Sequence, residues 1–316
     1  NNAIKIAEQE RHWAVHIELP EDIAWEEVEY SENMIHPIPI LRRPVPDDKI
    51  IKLLIEEIEK AKSPILLIWA WANRKRITES LTKFIKKYNI PFFTSQMWKW
   101  VVEWCWDQYL WTAALTSWDY IHDALDKSDL ILSVWYDTIE KPTKVLCWYW
   151  TKVIHINFYI TDADIVYTPF MWVIWDIWYT FWKLYEEKIN SKNWNFDEIY
   201  KIRKENLRKM KENCKLEEKT STMMPRKLVN DLREILNQED ILALDNWLYK
   251  VWIARNYRVY KPNTLLLDNA FATMWAWLAS AMEAKRINPN KKVVCVTGDW
   301  WLIMNLWDLE TAVRLK

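Results

Sequence analysis

One stretch of the sequence combines residue types that could hold a metal-bound phosphate. In KKVVCVTGDWWLIMNLWDLETAVR, residues 291–314, an apolar strand-like run ends in Gly298-Asp299 and a helical pattern follows. Backbone amides at a strand-to-helix turn can approach phosphate oxygens, and a carboxylate beside them is a hard oxygen ligand suited to Mg²⁺. A tight turn with an aspartate cap explains this stretch equally well when it is taken alone.

The composition contains an anomaly that bears directly on this turn. The chain has 25 Trp and a single Gly, Gly298, whereas average usage would give roughly 22 Gly. Several Trp residues form closely spaced pairs, namely Trp69 and Trp71, Trp98 and Trp100, Trp275 and Trp277, and Trp300 and Trp301. These are turn positions that call for positive φ or close backbone approach, which glycine supplies and an indole cannot.

We therefore hypothesise that most of the Trp residues stand for Gly. A reassigned stop codon that the organism decodes as glycine would appear as tryptophan if the gene were translated with the wrong codon table. A protein that is truly rich in Trp is the alternative. Under the glycine hypothesis, the segment Gly298-Asp299-Trp300-Trp301 becomes Gly-Asp-Gly-Gly. Residue names below follow the printed sequence.

The rest of the composition is that of an ordinary globular chain. Its 316 residues suffice for about two domains. The net charge of −1 gives no reason to expect nucleic acid or an anionic membrane as a partner. No apolar run approaches the ~20 residues that span a bilayer. Four cysteines without a CxxC pair argue for reduced thiols in a cytoplasmic protein, and against a zinc site or a disulfide framework.

The elements that must position the turn alternate between helix and strand. Asp47 is a good N-cap for a helix over 48–61. Buried runs such as LILSV (130–134) and KVIHIN (152–157) are separated by helical patterns, which is typical of a parallel sheet covered on both faces. The pattern predicts an α/β fold with a Rossmann-like central domain.

Outside this domain the pattern changes. A short strand, Ala14 to Leu19, opens the chain, and a proline-dense segment follows it. Residues 191–220 are mostly polar, and we interpret them as a solvated helix and a connection. The last unit again alternates helix and strand, with predicted strands at 241–245, 264–267 and 292–297 and a final helix at 302–315.

The motifs resemble those of the acetolactate synthase large subunit and related thiamine-diphosphate enzymes. GDWW, read as GDGG and followed by LETAVR, is similar to the start of the family's diphosphate motif, whose closing Asn would lie beyond Lys316. ATMWAWLASAM (272–282) looks like the segment that contacts the aminopyrimidine ring. ALDNWLYKVWIARNY (243–257) and HIELP (16–20) resemble the stretch that helps bind the diphosphate and the end of the pyrimidine domain.

The resemblance implies a set of site residues. Asn246 and Trp247 would form the diphosphate-binding turn, and the main chain near Ala272 and Met274 would bond the aminopyrimidine, with Met274 propping the cofactor. The resemblance also places the diphosphate at Gly298, Asp299, Trp300 and Trp301, with Asp299 as the Mg²⁺ ligand. Where relatives have Gln-His, this chain has Leu248-Tyr249, so that phosphate contact is not carried over. Trp252 matches a Trp of several relatives and is expected to be genuine.

The resemblance further implies the domain organisation. The expected boundaries are 1–30 for the C-terminal end of a pyrimidine-binding domain, 31–46 for a linker, 47–190 for the central Rossmann-like domain, 191–221 for a second linker and 222–316 for a truncated diphosphate-binding domain. The catalytic glutamate of the family would lie upstream of Asn1. The chain alone is therefore expected to be an inactive fragment.

The activity implied is carboligation of pyruvate or another 2-keto acid, with thiamine diphosphate and Mg²⁺ as cofactors and a homodimer or homotetramer as the assembly. Flavin (FAD) binding is in doubt, since SVWYDTIEKP (133–142) lacks the Arg of the family's flavin segment. The alternatives are a 2-keto-acid decarboxylase or lyase, a cofactor-binding regulatory or structural module, and a nonfunctional fragment. A dinucleotide-binding dehydrogenase is a weaker match, because residues 64–74 lack the third glycine of that fingerprint.

Overall fold

The computed structural model describes residues 2–8, 14–29, 44–69, 75–96, 102, 107–113, 121–137, 151–160, 167–217, 223–261, 263–267, 272–274 and 276–315. The chain divides into two compact units, Asn1–Pro44 and Val45–Lys316. The described part of the first unit contains two short helices, α1 (Asn2–Glu8) and α2 (Glu21–Ala24). The strand predicted for 14–19 is wrong, since the described residues 14–19 are irregular. A strand needs a hydrogen-bonded neighbour, and none pairs with this segment among the described residues.

The second unit begins with a six-stranded sheet and its helices. The elements are α3 (Asp48–Lys60), β1 (Pro64–Ile68), α4 (Lys75–Tyr88), β2 (Phe92–Ser95), β3 (Tyr109–Ala113), α5 (His122–Leu125), β4 (Leu130–Val134), β5 (Lys152–Asn157), β6 (Met171–Ile174), α6 (Ile177–Glu186) and α7 (Asp197–Glu217). The strand order is β3-β2-β1-β4-β5-β6, and every pairing is parallel. This is the doubly wound order of the Rossmann fold, as the sequence pattern predicted.

The strands of this sheet are apolar because both of their faces are covered. Every residue of β1 and β4 is buried, and so is all of β5 except Lys152. The predicted N-cap of α3 is confirmed, since the Asp47 carboxylate accepts the Lys49 and Ile50 amides at 2.8 and 2.9 Å. Strands β3 and β6 escaped prediction, because YLWTA and MWVI are short and lack turn signals that would separate them from neighbouring loops.

A second sheet carries the C-terminal elements. They are α8 (Pro225–Ile235), β7 (Ile241–Leu244), α9 (Leu248–Asn256), β8 (Leu265–Leu266), α10 (Ala276–Ile287), β9 (Val293–Val296), α11 (Asp299–Ile303) and α12 (Asp308–Leu315). The order is β8-β7-β9, again all parallel. The helix predicted over 302–315 is instead two helices, and α9 was not predicted. Both differences fall next to Trp residues that disturb the apolar period.

Parallel strands present their carboxyl ends at one edge of the sheet, and this edge is where ligands of open α/β folds bind. In the second sheet, that edge contains the residues that follow β7, β8 and β9. None of the described helices is long and apolar enough to cross a lipid bilayer.

At the opposite, amino-terminal edge of the same sheet, Asp240 connects two strands. Its carboxylate accepts the Asn237 amide at 2.7 Å and the Lys292 amide at 2.9 Å, which ties the start of β9 to the start of β7. Burial opposes ionisation of this carboxyl, but the two backbone hydrogen bonds outweigh it and hold the pKa of Asp240 below its ordinary value.

We expect Asp240→Ala to destabilise the protein by roughly 1–3 kcal/mol at pH 7, because two part-buried backbone amides lose a charged acceptor. The difference should be fully present above the unfolded pKa of about 3.9 and should shrink as the pH falls through the lower folded pKa. Urea denaturation at pH 7 and below pH 4 measures both effects. Asp231→Ala, which removes an exposed pair with Lys227 on α8, is the control and should cost less than about 0.5 kcal/mol.

Candidate active site at the carboxyl edge of the second sheet

The ends of β7 and β9 are fastened to one another by Asp245. Its amide donates to the Val296 carbonyl at 3.0 Å, and its Oδ2 accepts the Thr297 hydroxyl at 2.9 Å. Asp245 is only 1% exposed. The segment before α9 and the segment before α11 are therefore held side by side, although 52 residues separate Asp245 from Thr297.

Asn246 connects this pair of segments to a third. Its Nδ2 donates to the Thr273 carbonyl at 3.0 Å, and its Oδ1 accepts from the Lys250 ammonium. Thr273 lies between the predicted site residues Ala272 and Met274. The structure thus brings Asn246, Ala272 and Met274 to one edge, as the resemblance implied, but it engages the Asn246 side chain with the protein's own groups.

Tyr249 closes the turn after β9. Its hydroxyl oxygen accepts the Gly298 amide at 3.1 Å. Burial, with a further contribution from the nearby Asp245 charge, raises the pKa of Tyr249 to about 12. The phenol is therefore neutral at physiological pH. Because Tyr249 fixes the Gly298 backbone, this departure from the family pattern is part of the site.

Asp299 is the first residue of α11, and its side chain is exposed. Its Oδ1 accepts the Trp300 amide at 2.8 Å, which fixes the carboxylate over the start of the helix. An exposed carboxylate held at this edge can reach a hydrated cation. The role of Asp299 as the Mg²⁺ ligand stays a prediction.

Indole rings cover the same turn. The Trp301 ring lies against Gly298, so that a Cβ at Gly298 would come within 3.1 Å of Trp301 Cδ1. The Trp247 and Trp301 rings meet edge to face with centroids 6.2 Å apart, and the Trp300 ring is 66% exposed. The Trp301 ring thus lies beside the Gly298 backbone, which a phosphate would have to approach.

Backbone conformation adds evidence on where glycine is favoured. Ala272 has φ 46° and Trp135 has φ 57°, both in the left-handed region that favours glycine. Trp135 is a position of the kind that the glycine hypothesis predicts. The described members of the Trp pairs, at 69, 277, 300 and 301, do not have positive φ. The glycine hypothesis rests on positive φ or on close backbone approach, so at these four positions only close approach can argue for glycine.

In the first sheet, the strand order reverses between β1 and β4. Aromatic rings fill the space at the ends of these two strands. Trp69 is fully buried, and its Nε1 donates to the Ser133 hydroxyl at 2.9 Å. The Trp69 and Tyr136 rings meet edge to face at 4.8 Å, and Trp135 is also fully buried. Of the segment considered for flavin, only residues 133–137 are described.

Sequence reasoning missed several polar residues of the site: Asp245, Tyr249, Lys250, Thr273 and Thr297. A signal was present for Asp245 and Thr297, since polar residues that directly follow buried strands lie at the carboxyl edge of a parallel sheet. Lys250 had no such signal, because a lysine in a helix is usually exposed, and here it is only 5% exposed.

Comparisons with known proteins agree with this architecture. The description "Thiamine pyrophosphate enzyme, central domain" matches residues 51–183, which contain the six-stranded sheet. The description "Thiamine pyrophosphate enzyme, C-terminal TPP binding domain" matches residues 248–316, which contain the turn at Gly298. The chain belongs to the thiamine pyrophosphate enzymes.

Individual relatives indicate which thiamine pyrophosphate enzymes the chain resembles. It is 28% identical to an acetolactate synthase of Bacillus subtilis, over all of this chain and 55% of the relative. It is 27% identical to a probable acetolactate synthase large subunit of Methanococcus aeolicus, over 99% of this chain and 55% of the relative. A 3D-(3,5/4)-trihydroxycyclohexane-1,2-dione hydrolase of Clostridium tetani is 23% identical, over 95% of this chain and 51% of the relative. The chain spans about half the length of these curated relatives.

Thiamine diphosphate fits part of this edge and conflicts with another part. The Asp299 carboxylate suits a cation, and the Thr273 region presents backbone beside a strand end. The Trp301 ring does not fit, because it lies against Gly298 where the diphosphate must approach, and the Trp247 ring packs against it. The conflict is confined to positions that the glycine hypothesis assigns to Gly.

We expect Ala272→Gly to stabilise the protein by about 1 kcal/mol, because glycine adopts positive φ without the steric cost that alanine bears. Denaturation by urea, followed by circular dichroism, measures the change. Ala284→Gly, in the middle of α10, is the matched control and should destabilise by a similar amount. A loss of stability in both variants would show that position 272 has no preference for glycine.

Proposed function

We propose that the protein containing this chain is a thiamine-diphosphate- and Mg²⁺-dependent carboligase of the acetolactate synthase type, acting on pyruvate or another 2-keto acid. The observation that carries the proposal is the joining of three segments at one sheet edge. Asp245–Trp247, Ala272–Met274 and Gly298–Trp301 are tied together by the Asp245–Thr297, Asn246–Thr273 and Tyr249–Gly298 hydrogen bonds. The acetolactate synthase relatives support the choice of reaction.

Each segment has a role in this proposal. Asp299 provides the carboxylate for Mg²⁺, and the backbone at 298–301 receives the diphosphate once positions 300 and 301 are glycine. The main chain at Ala272 and Met274 would bond the aminopyrimidine, and the Met274 side chain, 39% exposed, would support the cofactor. When bound, the cofactor supplies an electron sink for decarboxylation of the 2-keto acid.

The activity belongs to a longer protein than the described chain in this proposal. This chain covers 55% of the acetolactate synthase relatives, and we place the general acid or base and the closing Asn of the metal motif in the part of their length that it does not cover. We propose a homodimer or homotetramer in the cytoplasm, with a role in branched-chain amino acid biosynthesis. Flavin has no part in the proposal.

The test uses the full-length gene product, made with the organism's own decoding, and supplied with pyruvate, thiamine diphosphate and Mg²⁺. Acetolactate is the expected product, measured as acetoin after acid decarboxylation. Asp299→Asn should lower the rate by about 100-fold or more, because the metal loses its carboxylate ligand. Glu310→Gln, which changes another exposed acid on α12, should leave the rate within about twofold.

Acetaldehyde without acetolactate would replace carboligation by simple decarboxylation and would favour the decarboxylase alternative. No turnover of 2-keto acids, with no binding of thiamine diphosphate, would contradict the proposal and favour a nonfunctional fragment or a structural module. Equal rates in Asp299→Asn and the parent would remove Asp299 from the metal site.

A further inference from the structure

Lys250 is a buried cation next to the proposed site, and nothing in the sequence motifs gives it a role. It lies in the first turn of α9, where its amide donates to the Trp247 carbonyl at 3.0 Å. Its side chain is only 5% exposed. Burial of an ammonium is costly unless its protons are hydrogen-bonded, so its surroundings must hold it in a defined position.

One partner of the ammonium is the Asn246 side chain. Lys250 Nζ donates to Asn246 Oδ1, and Asn246 Nδ2 donates to the Thr273 carbonyl at 3.0 Å. Because the amide has one acceptor and one donor group, the lysine bond fixes which end of Asn246 points toward Thr273. The three residues form a continuous chain from α9 to the segment that contains Ala272 and Met274. We call Lys250, Asn246 and Thr273 the brace.

The brace connects the part of the edge proposed to bind the diphosphate with the part proposed to bind the aminopyrimidine. Asn246 adjoins Asp245, which is fastened to Thr297 and so to the diphosphate turn. Thr273 adjoins the backbone proposed to face the aminopyrimidine. The distance between the two halves of the site therefore depends on the Asn246 side chain and on the lysine that orients it.

We propose that Lys250 is a positioning residue, which through Asn246 holds the diphosphate half and the pyrimidine half of the site at the spacing that one thiamine diphosphate molecule requires. This inference rests on the proposed function. It assigns Lys250 no contact with the cofactor. Its effect is a coupling between two subsites, of the kind that changes affinity by about 5- to 150-fold.

The test compares whole and partial ligands on the full-length protein. Dissociation constants for thiamine diphosphate, for inorganic pyrophosphate with Mg²⁺, and for thiamine are measured by isothermal titration calorimetry. In Lys250→Met, the constant for thiamine diphosphate should rise about tenfold or more, whereas the constants for pyrophosphate and thiamine should change by less than about twofold. A partial ligand occupies only one half of the site and does not need the spacing.

Two further variants separate the brace from a loss of folding. Asn246→Ala should reproduce the effect of Lys250→Met, and the double variant should bind no more weakly than either single one, because both changes break the same chain of contacts. Lys227→Met, at an exposed lysine on α8, is the matched control and should leave all three constants unchanged. Thermal denaturation of each variant without ligand shows whether it is folded.

Equal losses of affinity for pyrophosphate and for thiamine diphosphate in Lys250→Met would contradict the positioning role of Lys250, because they would show that it contacts phosphate directly. Unchanged affinity for thiamine diphosphate in a folded Lys250→Met would also overturn it and leave Lys250 a merely structural role. Failure of the parent protein to bind thiamine diphosphate would instead refute the proposed function on which the brace depends. The parent measurement thus distinguishes the two failures.

Discussion

A diphosphate can be held at a strand-to-helix turn only if its oxygens can come within hydrogen-bond distance of the backbone. This requirement applies to the turn that follows β9 in the second sheet of the chain. The carboxyl ends of β7, β8 and β9 bring the needed carboxylate and main chain together, but the Trp301 ring lies against Gly298, with Trp247 packed on it. Whether a diphosphate can bind at this turn therefore depends on the size of the side chains at a few positions.

The protein's own polar groups join the segments around the turn. Asp245 fastens β7 to β9, Asn246 reaches the Thr273 segment, and Tyr249 fixes the Gly298 amide. These contacts join segments that lie far apart in sequence, and two of the side chains involved, Asp245 and Asn246, are buried. Such preorganisation means that binding would not have to assemble the edge, only to fill it. The same contacts explain why a departure from the family pattern at Tyr249 leaves the turn structured.

Much of the α/β fold could be predicted from the sequence, because buried parallel strands are continuous apolar runs. KVIHIN (152–157) was predicted with its observed bounds, and the Asp47 cap marked the start of α3. The short strands β3 and β6 and the helix α9 could not be predicted, since Trp residues blur the polar and apolar pattern there. The site motifs identified the edge, but Lys250 and Tyr249 became visible only through contacts that local sequence does not encode. The proposed domain boundaries remain predictions.

The most direct test of the account is the identity of residues 300 and 301 in protein purified from its own organism. Tandem mass spectrometry of the peptide that spans Gly298 and Leu302 determines it residue by residue. We expect glycine at both positions, which leaves the backbone beside Asp299 open to a diphosphate. Tryptophan at both positions would contradict the account, because the indole rings would then cover the turn in the functioning protein.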